Sequence, residues 1–353
     1  GRAISSIPHE KVPIRDIRLT SDSCPKTPGE LAKWKAKPYS SVLGVVGYLM
    51  LSTRNDCAWA YSQLARYNSK YGQDHWDALL RLVAYLKKSR DTHFLKISKY
   101  GGMYCHAFCD SDWNGSEFSL STSGWISFFG WTPFSWAARL QRCTARSTGE
   151  AEFIALSSVA QECVYLRMLV ESLAVPVAFV EIFCNDRSRY DTGGADSDKF
   201  RTAVKIFSDS KVALAQAAKP DAWVVDKLRH IKTAYFFFKS YCRRGDLKLL
   251  EIGGKINPAD IFTKGFTDVA RWERACRLIN IWRPHELWNP PSSAGGSDRS
   301  DWPSVPWIGD PERGGSKASR SKPAARIESA APVLLGQGTA FPELPEFEGM
   351  KTE

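Results

Sequence analysis

An α/β domain, with helices packed on a sheet of five strands, is predicted by three observations. From Tyr104 to Gln141 the chain offers three short stretches rich in aromatic and β-branched residues: YCHAFCDSDWNG, STSGWISFF and TPFSWAARLQ. Asn-Gly, Gly and Pro punctuate them, as in strands joined by tight turns. The period then changes, and Phe153, Leu156, Val159, Cys163, Leu166, Val170 and Leu173 return every three or four residues, as one face of a helix must. Farther on, VKIFSDSKVALAQ reads as strand, acid, helix, and LKLLEIGG as one more strand.

Taken in order, residues 1–38 are polar and read as irregular. From Tyr39 to Ser89 the apolar residues recur helically in SSVLGVVGYLMLSTR, CAWAYSQLARYNSKY and HWDALLRLVAYLKKSR, which predicts three amphipathic helices with short links and a helical region over 39–99. Arg81, Lys87, Lys88 and Arg90 read first as a solvated helix face, with phosphate contacts as the alternative. A domain over 100–270 begins with the three-stranded meander and the helix that lies on it. Two runs then compete for the fourth strand, Val177–Phe183 ending near Asp186 and Val204–Phe207 ending at Asp209. The other run belongs to an insertion, placed at about 184–203. Asp221–Cys242 reads as a helix whose aromatic patch AYFFFKSY is core. After the fifth strand, Asn257 caps a short helix with Pro258 at its first position. Residues 288–353, rich in Pro, Gly, Ser and charge, read as a disordered tail.

A formal charge of +10 and a pI near 9.1 favour an anionic partner, nucleic acid first, over a basic protein with no such partner. Nine cysteines without CxxC pairs, and no secretory leader, read as reduced intracellular thiols. A zinc site at Cys105-His106-Cys109 is disfavoured, because strand alternation puts His106 on the face opposite the two cysteines. The longest apolar run, Val42–Leu51, is shorter than the roughly 20 residues a bilayer span needs, so no membrane partner is expected. With Gly1 in place of an initiator Met, the chain reads as a piece of a longer product.

Glu150 and Glu152 both fall in the first turns of the long helix, but two residues at about 100° each put them on nearly opposite faces. Only Glu152 shares the stripe of Leu156, Val159 and Cys163, so it points at the sheet, where an acid is costly unless paired or bound to a cation. Asp110 sits at the end of the first strand. With Asp209 and Asp260, four carboxylates fall on the sheet-facing side or at strand and helix ends. Taken singly, each also reads as a surface or capping acid, and Asp260 as one favoured by a helix N-terminus. Taken together, they make a site for hard divalent cations. Two such ions about 3.5–4 Å apart can activate a water and stabilise the leaving oxygen of a phosphodiester.

Over roughly Ser21–Phe266 the chain resembles the C-terminal end of the Pol polyprotein of Copia-type LTR retrotransposons. The resemblance rests on SDSCPKTPGELAKWKAKPYSSVLGVVGYLMLSTRNDCAWAYSQLARY, HWDALLRLVAYLKKSRDT, CDSDWNG, STSGW, SWAARLQ, STGEAEFIAL, DSKVALAQ, RHIKTAYFF and NPADIFTK, in that order. It implies a ribonuclease H-like five-stranded mixed sheet flanked by helices. It also implies that the helical region is the end of a reverse transcriptase, a thumb or connection remnant. Asp110, Glu152, Asp209 and Asp260 become the catalytic and metal-binding acids for two Mg²⁺ ions, with Mn²⁺ as the alternative. The implied substrate is an RNA/DNA hybrid whose RNA strand is cut. Ser147, Thr148, His230 and Lys255 become candidate substrate contacts, the upstream reverse-transcriptase region a partner, and the location intracellular, in a cytoplasmic particle or the nucleus.

The chain departs from that pattern in places. The family has one strand and acid where this sequence has VEIFCND and VKIFSDS; Asp209 is preferred to Asp186 because an apolar helix follows it. Cellular ribonucleases H carry a His between the last strand and last helix, whereas Gly253–Asn257 holds only Lys255 as a charge. His230 matches an RHI motif that suits helix packing as well as catalysis, and Asp112 reads as a solvated acid that could assist Asp110. No Asp-Asp pair of a polymerase palm occurs. The alternatives are a catalytically inactive, nucleic-acid-binding remnant and an integrase; the second is disfavoured because the glutamate comes second in order.

Overall fold

The computed structural model describes residue 13 and residues 19–97, 105–117, 119–130, 132–172, 203–219 and 233–284, all of them within the unit Gly1–Ile308. The chain enters through a helix, α1 (Pro28–Lys35), inside the stretch that composition reads as irregular. Its cause is local. Thr27 Oγ1 accepts the Glu30 N–H at 3.3 Å while the Glu30 carboxylate accepts the Thr27 N–H, a reciprocal capping box with Pro28 in the first turn. Helices α2 (Tyr39–Ser52), α3 (Ala58–Ala65) and α4 (Gln73–Ser89) follow, as the helical period predicts. They bury Tyr39, Leu43, Leu64, Leu79, Leu82 and Tyr85 against one another.

A two-residue strand, β1 (Phe94–Leu95), leads to the meander β2 (Cys105–Asp112), β3 (Thr122–Phe129) and β4 (Thr132–Leu140). Then come α5 (Thr148–Ser172), β5 (Val204–Ser208), α6 (Lys211–Ala218), α7 (Phe238–Arg244), β6 (Leu247–Glu251), α8 (Val269–Leu278) and β7 (Ile281–Trp282). The main sheet is five-stranded in the order β4-β3-β2-β5-β6. The meander is antiparallel, and β5 and β6 run parallel to β2, so the sheet is mixed. Val204–Ser208 is thus the fourth strand; Val177–Phe183, Asp186 and the 184–203 segment lie outside the described residues, as does the 288–353 tail.

The sheet is buried on both faces, which is why β2 alternates between two cores. Ala107 and Cys109 enter a layer with Phe153, Leu156, Val159 and Phe238 under α5 and α7. Phe108, with Ile126 and Phe128 of β3, enters a layer with the helices α2–α4 and α8. α5 is buried over a wider arc than its stripe predicts, with Ala151, Ile154, Ala155 and Ala160 also enclosed, because it touches α6 and α7 as well as the sheet. The Asp221–Cys242 helix is not continuous where it is described. Thr233–Phe236 is a 3-10 turn and α7 starts at Phe238, while residues 221–232 lie outside the described residues. The aromatic patch is core, as expected, with Phe238 fully buried and Phe236 against Phe153. Among the described residues, no helix is long and apolar enough to cross a membrane, and the eight cysteines are free thiols.

A buried ion pair lies beside the hydrogen bond that joins the N-terminal helices to the end of α8. Arg54 Nη2 meets Asp56 Oδ2 at 2.8 Å, Tyr85 donates its hydroxyl to the same carboxylate at 2.6 Å, and Asn55 Nδ2 donates to the Ile279 carbonyl at 3.1 Å. Removing one member of such a pair leaves a charge without compensation. Arg54→Leu and Asp56→Ala should each destabilise by about 3–5 kcal/mol in urea unfolding, with the double variant losing less than the sum. A loss below about 1 kcal/mol, the range of surface pairs, would show the pair to be dispensable.

Candidate functional site

The site forms where two parallel strands stop pairing. The last registered pair between β2 and β5 is Cys109 with Ser208, so Asp110 and Asp209 are the next residue on each strand. β2 is antiparallel to β3 on one side and parallel to β5 on the other. The gap at the carboxyl ends of such strands is where open α/β sheets bind ligands. Glu152, in the second turn of α5 on the stripe facing the sheet, reaches the same gap, and its Oε1 accepts the Ser111 N–H at 3.2 Å. Ligand oxygens of Asp110, Glu152 and Asp209 lie within 4.8 Å of one another.

Asp110 and Glu152 are 7% and 6% exposed, and Asp209 is half-buried. Thr263 Oγ1 donates to Asp110 Oδ2 at 2.6 Å, while Glu152 Oε2 is buried with no hydrogen-bond partner among the described residues. Burial pushes the Asp110 carboxyl up to about 7; the Thr263 bond opposes this, and Asp209 and Asp260 reinforce it. Burial, then the charges of Asp110 and Asp209, pushes Glu152 up to about 9, and burial raises Asp209 as well. Three crowded carboxylates and one orphaned oxygen form an all-oxygen donor set short of positive charge, which fits a hard divalent cation.

Asp260 stands beside this group but outside it. It lies in the 3-10 helix Pro258–Phe262 and is ion-paired to Lys264 and, at 3.3 Å, to Arg271. Its charge still raises Asp110 and Asp209. Asn257 caps this helix, its Oδ1 accepting the Ala259 N–H at 3.1 Å. Glu150 takes no part in the site: it accepts the Arg146 N–H at 2.7 Å and so closes the start of α5. Ser147 is the matching cap, its Oγ accepting the Glu150 N–H at 3.3 Å, and Ser147 and Thr148 are both exposed. Lys255 is exposed in the turn Gly254–Ile256, next to Gly254, where a Cβ would come within 2.9 Å of Asp209 Oδ2. Asp112 is half-buried at the end of β2. His230 and Asp186 lie outside the described residues. His106 stacks on Phe128, in the layer opposite Cys109, so the strand alternation separates those side chains as expected.

Comparison with known proteins places this site in context. The chain is 27% identical over 251 residues to the retrovirus-related Pol polyprotein from transposon TNT 1-94 of Nicotiana tabacum, covering 70% of the chain and 17% of the polyprotein. It is 26% identical over 258 residues to the one from transposon RE2 of Arabidopsis thaliana, covering 73% and 16%. The chain is a homologue of retrotransposon Pol polyproteins. It spans about a sixth of the length of these Pol relatives. It also aligns with Secreted RxLR effector protein 161 of Plasmopara viticola at 38% identity over 133 residues, 37% of the chain and 93% of that protein, and with that relative it belongs to one family. No protein-family model and no solved structure matches the chain.

Reading by sequence missed three features of this Pol homologue: the Thr263 bond to Asp110, the second role of Asn257, whose Nδ2 donates to the Cys109 carbonyl at 2.9 Å, and the cations on Asp260. No local spacing signals the first, since Thr263 and Asp110 stand 153 residues apart.

Acids with raised values bind protons more tightly in the fold than in the unfolded chain. Without a cation, therefore, these acids cost the fold nothing near and below pH 4, and their penalty grows as pH rises through 7 toward 9. Asp110→Asn, which removes one charge, should raise Tm by about 3–8 °C at pH 8.5 in chelator, and by almost nothing at pH 5. Thermal melts at both values check this; a shift of equal size at both would show that ionisation of the cluster carries no penalty.

Proposed function

We propose that this chain carries the ribonuclease H of a Copia-type retrotransposon Pol polyprotein, hydrolysing the RNA strand of RNA/DNA hybrids. The observation that carries the reading is the meeting of Asp110, Glu152 and Asp209 in one gap, with Glu152 Oε2 left without a partner among the described residues. Three antiparallel strands followed by two parallel ones at one edge, with helices on both faces, support a ribonuclease H-like fold. The homology to Pol polyproteins supports the setting. On this reading residues 39–99 end the reverse-transcriptase region, the upstream region is a partner, and the location is intracellular.

Asp110, Glu152 and Asp209 would hold the cations, Mg²⁺ or in its place Mn²⁺, with Asp260 adjacent. Bound there, divalent cations supply Lewis acidity to a water and to a leaving oxygen. The chain's own residues do the rest. Asp110 is held in one orientation by Thr263, and the sheet and α5 keep Asp110 and Glu152 largely out of water, where charge acts strongly. Ser147, Thr148 and Lys255 are exposed, and on this reading they would meet the sugar-phosphate backbone and 2′-hydroxyls of the RNA strand. His230 completes the proposed contacts. The net charge of +10 supports salt-sensitive, sequence-independent binding.

A second reading, a nucleic-acid-binding remnant without activity, is favoured by one observation: Lys264 and Arg271 already occupy the Asp260 carboxylate. A labelled RNA/DNA hybrid with Mg²⁺ separates the two. The enzyme reading expects internal cuts in the RNA strand and, for Asp110→Asn, a loss worth several kcal/mol, at least about 100-fold in rate. Binding that weakens with salt but no cleavage by the wild type selects the remnant; equal cleavage by Asp110→Asn rules out this site.

A further inference from the structure

We propose that Thr263 is a positioning residue for Asp110, deciding which of its carboxylate oxygens is presented to a bound cation; this rests on reading the cluster as a cation site. Thr263 follows the 3-10 helix Pro258–Phe262, is 1% exposed and lies 153 residues from Asp110. Its Oγ1 stands 2.6 Å from Asp110 Oδ2 and 3.0 Å from the Asp260 carbonyl. A hydroxyl has one proton to give. The shorter contact, of the length found for hydroxyls on charged acceptors, takes it to the carboxylate. With Oδ2 held, Oδ1 is the oxygen with freedom to ligate, and the side-chain torsion is fixed before any ligand arrives.

The surroundings are built to keep that hydroxyl in place. Asn257, at the other end of the same short helix, donates through Nδ2 to the Cys109 carbonyl, one residue before Asp110. Ser111, one residue after, gives its N–H to Glu152. Gly124 of β3 is registered opposite Asp110, and a Cβ there would come within 2.7 Å of Thr263 Cγ2 and 2.8 Å of Phe262 Cβ. A glycine inside a strand marks such a close approach of another backbone. Threonine uses both of its branches here, the methyl against Gly124 and the hydroxyl on Asp110. Partners that orient ligating carboxylates carry about 10–100-fold in metal affinity or activity.

The test uses the full chain and two readouts: the Mn²⁺ dissociation constant, from the electron paramagnetic resonance of free Mn²⁺ at fixed pH, and kcat and KM on an RNA/DNA hybrid. Thr263→Val keeps volume and methyl but loses the hydroxyl; Thr263→Ser keeps the hydroxyl alone; Thr263→Ala serves as a second hydroxyl-free variant should Val not fold. The expected result is Mn²⁺ binding weakened about 10–100-fold in the hydroxyl-free variants, with kcat reduced, KM for the hybrid held, and most of the affinity restored by Ser. A folded Val or Ala variant with wild-type Mn²⁺ affinity overturns the proposal, as does a Ser variant no better than Val. If the wild type binds Mn²⁺, loses it in Val, and yet cuts no hybrid, the positioning role stands and the ribonuclease reading falls. If the wild type cuts hybrid and Val matches it in both readouts, the reverse holds; a wild type that binds no Mn²⁺ overturns both.

Discussion

Three carboxylates share one mostly buried gap, and the repulsion among them is the constraint to which the rest of the fold answers. Like charges this close, away from water, oppose folding unless something else holds the chain together. The opposing force is the burial of β2 on both faces. Phe108 anchors it in one core and Ala107 and Cys109 in the other, so the strand cannot retreat from the gap without opening two layers. Its central place in the sheet adds ladders on both sides, up to the point where the pairing with β5 ends.

The same logic accounts for the far layer. The 3-10 helix that carries Asp260 packs on β2, β3 and α8. α8 in turn is tied to the N-terminal helices through Asn55 and the contact of Tyr85 with Trp272, and β7 closes on β1. A segment that looks remote from the site in sequence thereby sets the position of the loop that holds Asn257, Asp260 and Thr263. Residues 39–89 are thus part of the packing that supports the site.

The contributions legible in the sequence were those governed by a period. The 100° step of a helix separated Glu152 from Glu150, and strand alternation separated His106 from Cys105 and Cys109. The apolar helix after Asp209 marked β5 as a sheet strand. What escaped was governed by contact. Thr263 and Asp110 are 153 residues apart, and no local rule joins them. α1 carries a capping box in TPGE but so little apolar contrast that composition alone reads it as irregular. The break at Phe237 is hidden because Tyr235, Phe236, Phe237 and Phe238 pack on the same layer whether or not the helix is continuous. β1 and β7 have two residues each, too short for any periodic signal.

The three acids are also held unequally. Asp110 is fixed by its side chain through Thr263 and by its backbone neighbours through Asn257 and Glu152. Among the described residues Glu152 has one backbone donor on Oε1 and no partner on Oε2, and Asp209 is only half-buried. On the proposed reading, one rigid carboxylate with two adjustable ones would suit an all-oxygen site for a hard cation, the fixed one setting location and the looser ones adapting to the ion. Fixing all three would store more repulsion in the metal-free fold than its two cores need to bear. Fixing none would leave the ligand geometry to chance. Asp260, neutralised by Lys264 and Arg271, keeps a fourth negative charge from adding its full weight to the gap.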